Sequence, residues 1–501
     1  MTGQRAAVLL ALGAAGFVAA VPFFVATTFF GDDHIFLTFA RHVGNPLLPF
    51  VRDLHGGEYY RPLWMLFWWP LGRVGSVALF AAAALALHGT AALLLGLLLR
   101  ALGRPVSVSA GAAALMFLAP QNLAAALWFS ATTDLLATVL VLATLLALVR
   151  GQRAVAAAAA LAAFLCKESA FVLPLLSALV LWFEGQRRDP AERRRAWLAL
   201  APQLLLLGAV VAVRHAVLHG WGGSGDARAG VAGTLLQIYG GFADTFTGSD
   251  ALPTPLALGT GTMILALAIV AIARRGRGAA RWAPFAFAVV AAAPLFAAGW
   301  AVGARYYYLP AVGLCWAAAE ALSEVGAPAR IVLCAALLLV GGAQAALRRQ
   351  DVVSYDRRVA AARRAVVAGL AVGHHLFHVD GGIKDLDLAL KEDAALEAGQ
   401  VLVLSDVPAS FAVIPPAFQA GASMVIASPP LPPSGAYVFG DVRVVGLARR
   451  GDEPDLAEAL ARFPDLRLVR LRSIRGGQVI ARDLTEELER RLDGAADDGQ
   501  D

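Results

Sequence analysis

Apolar runs long enough to cross a bilayer recur throughout residues 1–347 of this 501-residue chain, and they limit its fold more than any other feature. They fall near residues 6–30, 75–99, 106–119, 134–149, 154–166, 170–183, 196–217, 252–273, 282–300, 306–322 and 329–347, eleven in all. A hydrocarbon interior about 30 Å thick takes about 20 apolar helical residues. Inside it the backbone must satisfy its own hydrogen bonds, which only helices and closed barrels do. All eleven runs are therefore read as helices. Several are rich in Ala, Leu and Gly, which lets helices approach closely. The first run is longer than the apolar core of a cleaved signal peptide, so it reads as a retained span.

Composition agrees. The chain is 58% hydrophobic and 16% charged, with a mean hydropathy of +0.65, whereas a soluble domain is about 45–50% apolar and about 25% charged. This excludes a soluble enzyme, a disordered chain and a nucleic-acid module, so no nucleic-acid partner is expected. The net charge of +5 resides in short clusters, which read as membrane topology before they read as an acidic partner. Cys166, Cys315 and Cys334 all lie in apolar runs and imply no disulfide framework.

The clusters set the orientation. Arg5, Arg100 with Arg104, Arg150 with Arg153, Arg187–Arg195, Arg274–Arg281 and Arg330 fall on alternate connections. All share one side if the N-terminus is cytoplasmic. The opposite connections, 31–74, 120–133, 167–169, 218–251 and 301–305, carry the acids and the aromatics. Eleven spans leave the tail after Leu347 outside, in the periplasm of a bacterium whose inner membrane holds the protein. The Arg-rich start of that tail, Arg348 to Arg364, opposes this, although long exported domains largely escape the charge rule.

The tail has mixed charge. Asp351 to Leu370 reads as a helix, VLVLSD (401–406), AYVFG (436–440) and VRVVGL (442–447) as strands, and 455–463 and 484–493 as helices. The expected organisation is a membrane domain over 1–347 with a first outer loop at 31–74, a soluble α/β domain over 348–493, and a frayed end at 494–501. His374, His375 and His378 could place their second pair on one helical face for zinc, but a solvated turn is the better reading without a fourth ligand.

Chemistry-bearing residues gather on the outer connections. Asp32 and Asp33 adjoin the first span; ionised groups are excluded from hydrocarbon and are kept where they work, yet Asp also caps helices. Glu58, Tyr59, Tyr60 and Arg61 precede the aromatic run Trp64, Phe67, Trp68 and Trp69. Most of those aromatics read as an interfacial belt. A guanidinium beside carboxylates and aromatics, as at Arg61, suits phosphate recognition. Lys167-Glu168-Ser169 interrupts an apolar stretch, where the pair could simply neutralise itself. Arg305-Tyr306-Tyr307-Tyr308-Leu309-Pro310 opens a span, and Asp134 opens another near Trp128.

Gly31-Asp32-Asp33, Tyr60-Arg61-Pro62-Leu63, His88 in HGTAALLLGLLLRAL, WFSATTDLLA (128–137), Lys167-Glu168-Ser169 and Arg305 to Pro310 together resemble the C-type (GT-C) polytopic glycosyltransferases. Within them the chain is similar to the protein O-mannosyltransferase-like branch, over roughly residues 1 to 347. Two features depart from that pattern: Ala119-Pro120 replaces a frequent His-Pro, and the tail lacks helical repeats.

The resemblance implies an α-helical polytopic membrane protein that moves a sugar from a polyprenyl-phosphate carrier to a protein, lipid or glycan acceptor on the outer face, with inversion. It implies Asp32 as the base that deprotonates the acceptor hydroxyl, with Asp33 supporting it or binding a metal. Arg61, Lys167 and Arg305 are the implied phosphate ligands, with Tyr60 beside them and Glu58 a weaker second carboxylate. The positive charge on the leaving phosphate's side comes from side chains or a divalent metal. Two rivals are a flippase or transporter of lipid-linked glycan and a non-catalytic scaffold. The transporter would show charges near mid-membrane and paired inverted repeats with broken helices, and the sequence shows neither.

Overall fold

The computed structural model describes residues 43–53, 59–185, 197–222, 230–247, 254–274, 279–298 and 304–324, with single positions in 29–40 and 339–357 and short strands in 375–483. Most of the first and last expected spans, 6–30 and 329–347, and all of 494–501 lie outside the described residues. The helices are α1 (Pro62–Val74), α2 (Val77–Ala101), α3 (Val106–Leu118), α4 (Pro120–Ala126), α5 (Thr132–Val149) and α6 (Arg153–Phe164). They continue with α7 (Leu173–Gly185), α8 (Ala201–Leu218), α9 (Val231–Asp244), α10 (Thr254–Arg274), α11 (Ala283–Ala298) and α12 (Tyr308–Ser323).

Helices α2, α3, α5 to α8 and α10 to α12 lie over the second to tenth apolar runs. Among the described residues, four helical stretches are long and apolar enough to span a membrane alone, and a fifth if α3 and α4 count as one bent span. The others, such as α6 and α11, are shorter. The described helices make this an integral membrane protein without reaching the expected count of eleven.

Three helices lie where connections were expected. In α1, Pro62 sits in the first turn, where its missing N–H costs nothing. Trp64, Met65, Trp68 and Gly72 then share its buried face, at the 3.6-residue period of a helix. Trp64 and Trp68 are fully buried, and Trp64 Nε1 donates to Thr132 Oγ1 at 3.0 Å. These two rings are core, which corrects their reading as an interfacial belt. Helix α4 follows α3 at a bend of 56°. Pro120 causes it, because it has no N–H to continue the α3 ladder and its ring crowds the preceding turn. The bend falls at the boundary between the expected span 106–119 and the expected connection 120–133. Helix α9 occupies part of 218–251.

Helix α5 is the most deeply buried of the candidate spans. It packs against α2 and α6, while α12 packs against α11 and α3. At Gly313 an added Cβ would come within 2.5 Å of the backbone of Pro284 and Ala288, so α11 and α12 touch main chain to main chain. Small residues permit this van der Waals packing, which is what joins helices in lipid. The α2–α3 turn uses Gly103 at φ 73°, a left-handed conformation that Gly adopts at no steric cost. Beyond that turn Arg104 Nε donates to Glu320 Oε1 at 2.5 Å, near the end of α12. Arg305 precedes α12, so a helix rising about 1.5 Å per residue puts Arg104 and Arg305 at opposite ends of the bundle.

In the tail, β1 (His375–Val379) pairs in parallel with β2 (Val401–Ser405) and with β5 (Arg467–Ile474). Strand β6 (Gln478–Asp483) runs antiparallel to β5, and β3 (Ile426–Ala427) pairs in parallel with β4 (Val445–Gly446). Strand β2 lies on VLVLSD as expected, and β4 covers part of 442–447. AYVFG (436–440), 455–463 and 484–493 lie outside the described residues. Of the expected helix at 351–370, Val353 and Arg357 are described, and both are helical. His375 and His378 fall in a strand, so the helical face proposed for the histidine pair is not formed there.

Candidate functional site

The starts of α1, α5 and α12, the end of α6 and the end of α8 meet at the end of the bundle away from Arg104. Each contributes a charge. Lys167 follows α6 and Asp134 lies in the first turn of α5. Their Nζ–Oδ1 distance is 2.5 Å and both side chains are buried. A carboxylate in a first helical turn is favoured by the helix dipole. Glu168 receives Arg61 Nε on Oε2 at 2.8 Å and Arg214 Nη1 on Oε1 at 2.6 Å. The turn reading of Lys167-Glu168 as a self-neutralising pair is therefore corrected: each finds its partner on another helix.

The rings hold the remaining geometry. Arg61 lies 4.2 Å over the Tyr59 ring and Arg305 lies 4.0 Å over Trp128. Tyr306 is shared, with Lys167 Nζ at 4.7 Å and the Arg305 guanidinium at 5.0 Å from its ring centre. Arg305 Nη2 also donates to the Tyr306 hydroxyl at 3.1 Å. Cation–π attraction of this kind grows when the charges are desolvated.

Electrostatics follow from this crowding. Burial lowers the Lys167 pKa to about 8; Asp134 opposes the shift while Arg61 and Arg305 add to it. Burial would raise the Glu168 pKa, but Arg61 and Arg214 outweigh it and hold it at about 2. Burial also works against the Arg61 charge, and Glu168 overcomes it, raising the Arg61 pKa. Arg61 and Arg305 thus both act on Lys167 through space.

Asp33 joins the same end. It is fully buried, and its Oδ1 accepts the Ser130 backbone N–H at 2.7 Å and the Ser130 hydroxyl. Phe29 makes aromatic contacts with Phe80 and Phe129, at 5.4 and 5.5 Å, near the start of α5. Such an anchored, desolvated carboxylate suits support of its neighbour Asp32. Tyr60 is also buried, and its hydroxyl donates to the Phe50 carbonyl at 3.1 Å, which ties down the 43–53 segment. Asp32 and Glu58 lie outside the described residues.

Arg214 and Ser130 were not singled out in the sequence. Arg214 is one basic residue in an otherwise apolar run, VVAVRHAVL. An ionised residue inside a span is rare and faces the bundle interior, so that interruption was the available signal. Ser130 lies in the WFSATTDLLA stretch (128–137), which marked the segment but gave that residue no role. Among the described residues no group of three or more His, Cys, Asp or Glu side chains is placed to hold a metal.

No protein family model matches the chain, and no curated protein does. Among solved structures it is similar to ArnT from Cupriavidus metallidurans in the apo state, at 16% identity and a TM-score of 0.54, over 97% of this chain and 99% of that one. It is also similar to ArnT from the same organism bound to undecaprenyl phosphate, at 16% identity and a TM-score of 0.48, over 80% and 86%. The first likeness shows a common fold over nearly the whole chain. It is the polytopic C-type fold that the sequence motifs resemble.

Proposed function

We propose that this chain is a membrane glycosyltransferase that takes a sugar from a polyprenyl-phosphate carrier and passes it, with inversion, to an acceptor hydroxyl on the outer face. The observation that carries this reading is the convergence of Arg61, Lys167, Arg214 and Arg305 from four separate elements onto one desolvated site that also holds Asp33, Asp134 and Glu168. Fixed cations in low dielectric stabilise a leaving phosphate without reorganising. Held carboxylates keep those cations in place before the substrate arrives.

In this reading Asp32 takes the acceptor proton, and Asp33, pinned by Ser130, orients it. The acceptor oxygen attacks the anomeric carbon as the carrier phosphate leaves toward the cations. Proximity and a positioned base supply most of the rate. If a divalent ion takes part, Asp32 and Asp33 are its candidate ligands, and loss of transfer on chelation tests it. The N-terminus is assigned to the cytoplasm, the eleven spans to 1–347, and an α/β domain to 348–493 on the periplasmic side. The parallel β2–β1–β5 order supports the α/β character of that domain, because parallel neighbours need crossover connections.

Purified protein is offered radiolabelled polyprenyl-phosphate sugars and the labelled product is identified. Transfer of label to an acceptor supports the reading. Movement of intact labelled carrier across proteoliposomes without transfer would favour the transporter. Neither activity would leave the scaffold.

A further inference from the structure

Helix α9 meets the turn that carries Arg305 and Tyr306 through Tyr307. The Tyr307 ring lies directly over Gly241: a Cβ built there would stand 2.1–2.4 Å from Cζ, Cε1 and Cε2. Ordinary contacts of that kind need about 3.5 Å or more, so no residue but glycine leaves room for the ring. The Tyr307 hydroxyl passes across this gap and donates to the Gln237 carbonyl at 2.8 Å, one turn earlier on α9. Phe242 meets the same ring edge to face at 6.4 Å.

Both ends of this contact are held. Thr245, just past α9, donates from Oγ1 to Gln121 Oε1 of α4 at 2.9 Å. An added Cβ at Gly261 of α10 would come within 2.0 Å of the Ala243 carbonyl oxygen. Helix α9 is thus wedged against α10 on one side and Tyr307 on the other. Tyr307 is the last residue of the turn Ala304–Tyr307, and the two residues before it are Arg305 and Tyr306. Tyr306 is the ring between Lys167 and Arg305. A shift of Tyr307 cannot leave that turn unmoved.

We propose that Gly241 and Tyr307 are positioning residues: seating the Tyr307 ring on the bare face of α9 sets where Tyr306 and Arg305 stand relative to Lys167. This rests on the reading of the site as one that binds a carrier phosphate. Neither residue touches the phosphate. Gly241 acts through Tyr307, and Tyr307 through the turn.

The test is a double-variant cycle read as binding of a polyprenyl monophosphate in detergent, together with the KM for the sugar-loaded carrier. Alanine is a better helix former than glycine, so Gly241→Ala harms α9 only through its contacts. It is expected to weaken binding about tenfold, within the range that overpacking costs, and to raise the donor KM more than it lowers kcat. In a Tyr307→Ala background the same change should cost almost nothing, because the ring it displaces is gone. Misfolding would instead reduce the number of binding sites at unchanged Kd. Equal binding by Gly241→Ala and the parent protein, or additive losses in the cycle, overturns the proposal. Failure of the parent protein itself to bind the monophosphate overturns the phosphate reading on which it rests.

Discussion

Lys167 Nζ lies 2.5 Å from Asp134 Oδ1, and that pair joins the turn after α6 to the first turn of α5 in a place with almost no solvent. Among the described residues, Asp134 Oδ2 meets no hydrogen-bond partner.

Lys167→Met leaves the Asp134 charge buried without its partner. Breaking a buried pair on one side costs about 3–5 kcal/mol, so the unfolding midpoint in detergent should fall sharply. Asp134→Leu with Lys167→Met should recover most of that stability and none of the transfer. Recovery of transfer in the double variant would show the pair to be purely structural.

The Lys167 pKa of about 8, held down first by burial against an ordinary value of 10.5, separates stability from activity in pH. Between these values the unfolded chain binds a proton that the folded chain does not. This group's contribution to stability therefore rises with pH across that window. If Lys167 holds the carrier phosphate as proposed, transfer uses the ammonium form and should fall as pH rises through about 8. Rate profiles and unfolding midpoints measured on the same preparation should move in opposite directions there.

Asp32→Asn and Asp33→Asn should differ in kind. Removing a general base costs about 10²–10⁴-fold in rate, so Asp32→Asn should lose transfer and keep its melting point. Asp33 is buried and bonded to Ser130. Asp33→Asn should lower the melting point as well, by the about 1–3 kcal/mol of a damaged buried hydrogen bond. Normal turnover in Asp32→Asn would return that residue to a capping role.

Arg61→Lys should weaken donor binding more than its retained charge suggests. Arg61 reaches Glu168 through Nε and lies over Tyr59, and a lysine keeps neither the planar fork nor the stacking. A rise in donor KM of about tenfold is expected, in line with about 1.5 kcal/mol or more for a hydrogen bond to a charged group. An unchanged KM would remove Arg61 from the phosphate set.

A reporter fused after Leu347 should be active in its periplasmic form. Activity of the cytoplasmic form at that position would overturn the N-in, eleven-span arrangement drawn from the alternating arginine clusters.

Much of the bundle was legible because it depends on local composition. Runs of Ala, Leu and Val dictate helices wherever water is absent, since the backbone has no other partner, and α2, α3, α5 to α8 and α10 to α12 fall where those runs lie. Asp33, Arg61, Lys167 and Arg305 could be picked out because each is a charge at the edge of an apolar run, where charge is costly unless used. Which charge meets which was not legible. Glu168 adjoins Lys167 in sequence but takes Arg61 and Arg214, and Lys167 takes Asp134 33 residues away. Trp64 and Trp68 likewise read as boundary aromatics until α1 folds them inward. Hydropathy and charge act residue by residue, so one chain reveals them. Pairing depends on which helix ends the packing of small residues brings within hydrogen-bond reach, and only the tertiary structure decides that.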